Sequence, residues 1–236
     1  QRQMCIRDRF GVDAGLSLDT ASDANVFIGA YVADAALSGA DDNVGVGYNA
    51  LTALTSGDKN VAIGSGALTS NNTGTSSIAI GYQAAYTKTG VAVIAIGHQA
   101  AYSNGTAADN IAIGYQSLYT NSSGNYNIGI GEGSLKACTS EGSIGIGYHA
   151  GYLATGVKNI FLGFQAGDVI TSGAGNVYIG YEADGSANSV ADEIVLKAGL
   201  DALVGGGTET IRIGVDSDYI VNDFGENATW THSSDR

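Results

Sequence analysis

The stretch Asn110-Ile-Ala-Ile-Gly-Tyr-Gln-Ser-Leu118 decides the fold, because close variants of it recur along most of the chain. Its core is a pair of aliphatic residues that bracket a third, usually small, residue and precede a glycine. Ten copies of this core end at Gly29, Gly47, Gly64, Gly81, Gly97, Gly114, Gly131, Gly147, Gly163 and Gly180. Successive glycines are 18, 17, 17, 16, 17, 17, 16, 16 and 17 residues apart. A period this regular predicts stacked coils of one supersecondary unit.

The repeated core predicts one short β-strand in each coil. Its residues alternate with a period of two, which is typical of a strand whose two faces differ. The chain has 36 glycines and no proline, and proline would remove a backbone N–H from the ladder between coils. We therefore predict an all-β, repetitive parallel β-solenoid with about 17 residues per coil and almost no helix between residues 25 and 214.

The two sides of each strand carry different residues. We expect the two aliphatic columns to be buried. We expect the small residues between them, such as Ala62 and Gly129, to lie on an outer face that another backbone can approach closely. Other copies of the chain would cover this face, most simply in a parallel homotrimer.

Two further columns are found by counting from the glycine of each core, called position 0 below. Asparagine stands at position −4 in seven of the ten coils. Asparagine tolerates the left-handed backbone of a turn, and identical asparagines in successive coils can form a ladder of hydrogen bonds. The predicted structural ladder consists of Asn43, Asn60, Asn110, Asn127, Asn159 and Asn176, together with Gly47, Gly64, Gly81, Gly97, Gly114, Gly131, Gly147, Gly163 and Gly180.

Aromatic residues recur at two positions of the coil. Position +1 holds Tyr48, Tyr82, His98, Tyr115, Tyr148, Phe164 and Tyr181. We interpret this column as stacked rings that stabilise neighbouring coils, the alternative being a surface on which sugar rings stack. A second set stands at +5, nearer the loops, and we predict that it is the more exposed set and the better candidate for contact with a glycan. It consists of Tyr86, Tyr102, Tyr119 and Tyr152.

No group of residues indicates catalysis, a metal or a cofactor. The three histidines stand at different positions of the repeat and form no ligand cluster with carboxylates. The neighbouring carboxylates Asp41–Asp42 and Asp192–Glu193 are the candidates for hydrolysis of a glycosidic bond. We interpret them as parts of solvated turns, because their positions do not recur. We therefore predict no catalytic residue, no metal site and no cofactor in this chain.

The charge and hydropathy of the chain disfavour several partners. The net charge is −13 and no basic stripe is present, which argues against nucleic acid and against attraction to an anionic bilayer. No apolar run approaches the ~18 residues of a transmembrane helix, so we expect no membrane insertion. The two cysteines, Cys5 and Cys138, form neither a disulfide framework nor a metal-binding spacing.

The repeat also divides the chain into segments. Residues 1–9 match nothing downstream, and we interpret them as foreign to the protein. The stretches Ile194-Val-Leu-Lys197 and Ile211-Arg-Ile-Gly214 keep the phase of the repeat while its sequence decays, as terminal capping coils do. The predicted segments are 1–9 (foreign or artefactual), 10–24 (lead-in), 25–187 (ten clear coils), 188–215 (two degenerate capping coils) and 216–236 (a junction to a missing C-terminal domain).

The phrase Asn-x-Ala-Ile-Gly-Tyr-x-Ala-Leu resembles the β-roll repeats in the head domains of trimeric autotransporter adhesins. It is more similar still to the longer-period repeats of phage tail-fibre-like proteins. The resemblance covers residues 25–214. It implies parallel, left-handed rolls that assemble as homotrimers.

The segment from Asn222 to Arg236 resembles the junction that precedes the intramolecular chaperone of phage tail spikes and fibres. That chaperone trimerises the fibre and then cuts itself off at a Ser–Asp bond, which would be Ser234–Asp235 here. In the family, a lysine shortly after the serine completes the cleavage site. Because no such lysine follows before Arg236, the resemblance implies that self-cleavage occurs only in a longer protein.

These residues and resemblances predict a non-enzymatic shaft or receptor-binding segment of a phage tail fibre. It would work as a homotrimer on the virion tail and contact a glycan or protein of the bacterial surface. An alternative of the same class is the head domain of a bacterial trimeric adhesin on the cell surface. An alternative of another class is a polysaccharide depolymerase that uses the carboxylates named above.

Overall fold

The computed structural model describes residues 8–16, 22–198, 203–204, 210–215, 218–223 and 230–232. The chain divides into two compact units, unit 1 up to Ser123 and unit 2 from Gly124 onwards. The described residues contain no helix, and each unit is a β-solenoid of short parallel strands at a spacing of about 17 residues. The predicted all-β, parallel β-solenoid is therefore confirmed.

Unit 1 is built from strands of three or four residues, each paired in parallel with the next. They are β1 (Asp8–Phe10), β2 (Val26–Ile28), β3 (Val44–Val46), β4 (Val61–Ile63), β5 (Ile78–Ile80), β6 (Val93–Ile96) and β7 (Asn110–Ile113). Equivalent residues of successive coils are direct partners, since Val61 pairs with Ile78 and Ile78 with Ile94. The repeat in the sequence therefore sets the register of the sheet.

Unit 2 continues the same pattern and then changes strand direction. Its parallel strands are β8 (Ile128–Ile130), β9 (Ile144–Ile146), β10 (Ile160–Leu162), β11 (Val177–Ile179), β13 (Ile194–Lys197) and β15 (Thr210–Val215). Ile194 pairs with Val177 and with Ile211, so the two degenerate coils keep the register. Two antiparallel strands follow, β16 (Asp218–Asp223) and β17 (Trp230–His232). The two-residue strands β12 (Ala183–Asp184) and β14 (Leu203–Val204) pair separately.

The two faces of each strand are the reverse of the prediction. The residue at −2, such as Ala62 or Gly129, is buried, whereas the aliphatic residues at −3 and −1 are half-buried or exposed. Ile63 and Ile80, for example, expose 38% and 36% of their surface. The expectation of buried aliphatic columns and an outer face of small residues is therefore wrong. A period of two shows that the faces differ, but it does not show which face is the inner one.

The inner column is small because the opposite wall of the coil supplies the volume. Leucines at +4 follow the motif glycine, and all of them are fully buried: Leu51, Leu68, Leu118 and Leu135. A Cβ placed on Gly145, at −2, would lie 2.8 Å from Leu135 Cγ. Leucine on one wall therefore packs directly against alanine or glycine on the other, at the close packing of a protein interior.

The motif position requires glycine because its φ is positive and because the backbone of the next coil lies close to it. Gly47 has a φ of +129°, which side chains rarely allow. A Cβ on Gly47 would also lie 2.8 Å from the carbonyl oxygen of Gly64 in the next coil. The column of glycines therefore lets the backbones of successive coils approach each other.

The asparagines at −4 are buried and connect successive coils. Asn43 Oδ1 accepts a hydrogen bond from the backbone N–H of Asn60 at 3.0 Å, and Asn60 Nδ2 donates to the Gly74 carbonyl at 2.8 Å. Unit 2 repeats this arrangement, since Asn159 Oδ1 accepts the N–H of Asn176 at 2.9 Å. Each such asparagine satisfies backbone groups that the turn would otherwise bury without partners.

Candidate functional site

One wall of unit 1 carries a regular array of aromatic and amide side chains, which we call the ladder surface. The residue at +2 has a left-handed backbone, with φ of +52° at Gln83 and +54° at Gln99. The residues at +3 and +4 then turn inwards and are buried, while those at +1, +2 and +5 stay at the surface. The ladder surface consists of Tyr82, Gln83, Tyr86, His98, Gln99, Tyr102, Tyr115, Gln116 and Tyr119.

The rings of the ladder surface stack in two columns. At +1, the ring centroids of Tyr82 and His98 are 5.0 Å apart, and those of His98 and Tyr115 are 5.3 Å apart. At +5, Tyr102 stacks on Tyr86 at 5.2 Å and on Tyr119 at 5.0 Å, with nearly parallel ring planes. These separations lie in the range of favourable aromatic pairs.

The exposure of the two tyrosine columns is opposite to the prediction. Tyr82 and Tyr115, at +1, expose 47% and 48% of their surface, whereas Tyr86 and Tyr102, at +5, are half-buried. The reason is that the +5 ring leans on the +2 residue of the preceding coil: a Cβ on Gly66 would lie 3.5 Å from Tyr86 Cδ2. The pKa of Tyr102 is raised, first by desolvation and then by the neighbouring tyrosines.

The glutamines at +2 form a third column, which the sequence prediction did not include. Gln116 Nε2 donates to Gln99 Oε1 at 2.9 Å, and Gln99 Nε2 donates to Gln83 Oε1 at 2.9 Å. All these amides donate in the same direction along the stack. Gln83 stands at the end of the column, and its Nε2 makes no hydrogen bond with any residue that the structure describes. The repeated glutamines at 16- and 17-residue spacing were the available sequence signal.

The coil of Gly64 interrupts the +1 column and precedes the first members of the other two columns, Gln83 and Tyr86. Positions +1, +2 and +5 of this coil hold Ser65, Gly66 and Thr69, which are all small. The missing side-chain volume leaves a cleft of about 180 Å³. The cleft is lined by Tyr48, Asn49, Ser65, Gly66, Thr69, Tyr82, Gln83 and Tyr86, none of which carries a formal charge at neutral pH.

Unit 2 has its own aromatic ladder, with a different composition. Tyr148, Phe164 and Tyr181 stack with centroid distances of 4.9 and 5.3 Å. Tyr152, at +5, contacts His149 at 4.4 Å, and its hydroxyl accepts a hydrogen bond from Lys136 Nζ at 3.0 Å. Of the four tyrosines predicted to contact a glycan, the structure therefore brings Tyr86, Tyr102 and Tyr119 into one stack, and Tyr152 belongs to the other unit.

The carboxylate of Asp41 has a structural partner. Asp41 Oδ1 accepts a hydrogen bond from the backbone N–H of Asp23 at 2.6 Å, and Asp58 Oδ1 accepts the N–H of Asp41 at 2.9 Å. These aspartates satisfy backbone donors of neighbouring coils, and Asp42 has a left-handed backbone in the same turn. The pair Asp41–Asp42 therefore has the geometry of a turn.

The second predicted carboxylate pair is split between the surface and the interior. Asp192 is exposed, whereas Glu193 is fully buried at position −4. Glu193 Oε2 accepts hydrogen bonds from the Tyr178 hydroxyl at 2.9 Å and from the Ser186 N–H at 3.1 Å. Burial, and then the Glu193 carboxylate, raise the pKa of Tyr178. The carboxylate of Asp192 therefore lies in solvent and that of Glu193 in the interior, so the two do not form one site.

Unit 2 contains a titratable group that sequence reasoning missed. Burial, followed by the nearby Asp168 carboxylate, raises the pKa of Asp184 to about 6, and Lys197 partly opposes this. Asp184 Oδ1 is buried without a hydrogen-bond partner among the described residues. Asp168 and Asp184 stand at +5 and +4 of successive coils, so no column of the repeat connects them in the sequence.

Unit 1 contains a buried lysine that sequence reasoning also missed. Lys88 stands at +7, a position that lines the interior, and its Nζ donates to the carbonyls of Val91 and Ala107 at 3.0 and 2.9 Å. Burial lowers the pKa of Lys88 to about 8, and Asp109 partly opposes the shift. Neighbouring coils place Asn71 and Asn104 at the same position.

Comparison with models of protein families, with curated proteins and with solved structures found no match. Across the described ranges, no helix is long and apolar enough to cross a membrane. In those same ranges, no group of three or more histidine, cysteine, aspartate or glutamate side chains is placed to hold a metal ion. Ser234 and Asp235, the predicted self-cleavage junction, lie outside the described residues.

Proposed function

We propose that this protein is a non-enzymatic shaft or receptor-binding segment of a phage tail fibre. It works as a homotrimer and contacts a glycan or protein on the bacterial surface. The observation that carries the proposal is the outward face of the strands, which is aliphatic in every coil of unit 1 from β2 to β7.

This outward face, which we call the aliphatic stripe, consists of the residues at −3 and −1. In unit 1 they are Val26, Ile28, Val44, Val46, Val61, Ile63, Ile78, Ile80, Ile94, Ile96, Ile111 and Ile113. All of them are half-buried or exposed. A contiguous apolar patch of this kind marks an interaction surface on a soluble protein, and parallel sheets are almost always covered on both faces.

A second and a third copy of the chain are the partners that fit the aliphatic stripe best. Copies that run parallel present the same side chains at the same spacing, so their stripes match coil by coil. A closed ring of copies buries the stripe of each member and leaves none exposed. The resemblance to β-roll repeats supports three copies.

The ladder surface supports contact with a receptor. Its tyrosines and glutamines offer aromatic faces and amide groups, which suit sugar rings and hydroxyls. The geometry gives less support to a depolymerase, because Asp41 and Glu193 are occupied by backbone and tyrosine donors. The head of a bacterial adhesin would use the same surfaces, and antibodies against the chain would distinguish the two by labelling virion tails or bacterial cells.

Sedimentation equilibrium over a wide range of concentrations tests the assembly. We expect association to three times the chain mass of 23.8 kDa. Ile80→Lys, which places a charge on the aliphatic stripe, should abolish association, whereas Thr89→Lys on an exposed loop should not. A wild-type protein that stays monomeric at every concentration would contradict the homotrimer.

Binding of labelled protein to host bacteria, with assay of released sugars, tests the activity. We expect binding without release of oligosaccharide. Release of oligosaccharide from capsular or lipopolysaccharide glycans would instead identify a depolymerase.

A further inference from the structure

We infer that the cleft in unit 1 is a binding subsite for one neutral pyranose ring. The inference rests on the proposed function, because the ring would belong to the bacterial surface glycan that the protein contacts. The site itself is argued from the shape, the exposed ring faces and the unpaired polar groups of the cleft.

The shape of the cleft suits a puckered ring. Neighbouring coils of a parallel ladder are about 4.8 Å apart, so side chains on either side of one vacant coil are separated by about 10 Å. Tyr48 bounds the cleft on one side, and Tyr82 and Tyr86 bound it on the other. A flat ring in van der Waals contact with both walls needs only about 7–8 Å. The extra space matches a pyranose, whose C–H groups project from both faces.

The walls of the cleft offer aromatic faces that no protein ring covers. Tyr82 stacks on His98 and Tyr86 stacks on Tyr102, both in the coil that follows. Their opposite faces are directed towards the coil of Ser65, where the ring of the ladder is missing. Aromatic faces of this kind pack against the C–H groups of a sugar ring.

The polar groups of the cleft suit hydroxyls. Within the described residues, no hydrogen bond is made by Gln83 Nε2, by the Asn49 side-chain amide or by the Ser65 hydroxyl. These groups supply donors and acceptors on the two sides of the vacant coil. The absence of charged groups in the lining, together with the net charge of −13, favours a neutral sugar over a uronic or sialic acid.

The floor of the cleft depends on Gly66. Its φ of +71° is compatible with other residues at this position, because Gln83, Gln99 and Gln116 have φ of +51° to +54° at +2 of their coils. A side chain at position 66 would fill the space in front of Gln83 and Tyr86. Thr69 Oγ1 donates to the Gly66 carbonyl at 2.8 Å, which fixes the turn in the free protein.

Saturation-transfer-difference NMR with methyl glucopyranoside, methyl galactopyranoside and methyl mannopyranoside tests the subsite, with methyl glucuronide as the acidic comparison. We expect at least one neutral glycoside to bind with a Kd on the order of 1 mM, the affinity appropriate to one small ring. Ser65→Tyr continues the +1 ladder into the cleft and should weaken binding at least tenfold. Glu132→Tyr makes the matched change at +1 of a coil in unit 2 and should leave binding unchanged.

Two further measurements separate loss of binding from loss of folding. Circular dichroism establishes that Ser65→Tyr is folded, and Gln83→Ala, which removes the unpaired donor without filling the cleft, should also weaken binding. Failure of every neutral glycoside to bind, tighter binding of the glucuronide, or wild-type binding by folded Ser65→Tyr would each overturn the subsite. If glycosides bind but labelled wild-type protein attaches to no bacteria, the proposed function fails while the subsite stands.

Discussion

Two coils, one in each unit, fill the same 17-residue frame from opposite walls. In unit 1, the strand of the Gly64 coil contributes Ala62, and Leu68 on the turn fills the space. In unit 2, the strand of the Gly163 coil contributes Phe161, and the turns around it carry Gly151 and Gly167 at the leucine position. A Cβ on Gly151 would lie 2.6 Å from Phe161 Cε2. The fold therefore specifies the total volume at each level, not which wall supplies it.

The buried polar groups also differ between the units. Besides the asparagines at −4, unit 1 has fully buried polar side chains at +7, among them Asn71, Lys88 and Asn104. Unit 2 has Cys138 and Ala154 at +7. Its buried polar pair is Tyr178 with Glu193, at the −2 and −4 positions. The frame therefore does not fix the column of these buried groups. It also tolerates Asn104, whose side-chain nitrogen and oxygen have no hydrogen-bond partner among the described residues.

Placing the large residue on the turn instead of the strand, in one coil of unit 2, should have the largest effect on the free energy of unfolding. Gly151→Leu should lower the free energy of unfolding by about 3–5 kcal/mol, because overpacking against Phe161 adds to the strain of a left-handed side chain. Adding Phe161→Ala recreates the leucine–alanine pair of unit 1 and should restore most of the loss. Urea unfolding of the wild type, the two single variants and the double variant measures the coupling. Additive losses would show that volume is not shared between the walls.

Removing the hydroxyl of Tyr178, which donates a hydrogen bond to the buried Glu193 carboxylate, should have the next largest effect on the free energy of unfolding. Tyr178→Phe leaves Glu193 with one fewer donor in the interior and should cost about 2–3 kcal/mol of unfolding free energy. Tyr181→Phe, in the exposed ladder of the same coil, should change the free energy by less than about 0.5 kcal/mol. Equal losses in urea unfolding would mean that the Tyr178 hydroxyl has no special role.

The buried lysine of unit 1 should make stability depend on pH. The folded state has a Lys88 pKa of about 8, against an ordinary value of 10.5. Between these values the unfolded state binds more protons, so the free energy of unfolding should rise with pH. The full pKa difference of about 2.5 corresponds to about 3.4 kcal/mol, and solvent screening lowers the expected rise to about 2 kcal/mol. Below pH 8 the full cost of the buried ammonium is present. Urea unfolding between pH 8 and 10.5 should show this rise in the wild type and a smaller rise in Lys88→Asn, which carries the asparagine of neighbouring coils. If the free energy of unfolding rose equally with pH in both proteins, Lys88 would not be its cause.

Completing the aromatic ladders should have the smallest effect and should be similar in the two units. Ser65→Tyr and Glu132→Tyr each add a ring beside an existing ladder and should stabilise the protein by about 0.5–1 kcal/mol. Thermal unfolding followed by circular dichroism measures the gain. A gain in one unit alone would show that the ladders differ in more than composition.

The sequence predicted the coil and its register because these depend on local backbone requirements that repeat. A motif glycine such as Gly47, with its positive φ and its contact with Gly64, must recur wherever a coil recurs. The direction of the strand faces could not be predicted in the same way, because it depends on Leu68 and its equivalents across the coil. The exposure of Tyr86 depends likewise on the +2 residue of another coil. The cleft could not be predicted from the columns, because it lies where Ser65 breaks the +1 column and Gly66 precedes the first glutamine.

The change of strand direction after β15 has a consequence for growth at the edge of unit 2. A parallel ladder with an open edge is a template on which the first coil of another copy can continue the sheet, as strands add to an amyloid fibril. The strand β16 runs against the coils and pairs with β15 in antiparallel register, and β17 then pairs with β16 in the same manner. The edge strand β17 runs in the direction of the coils again, but its sequence, Thr229 to Ser233, has neither the asparagine nor the glycine that connects successive coils. The coil frame therefore ends at β15, and we expect the hairpin of β16 and β17 to disfavour end-to-end polymerisation of the protein.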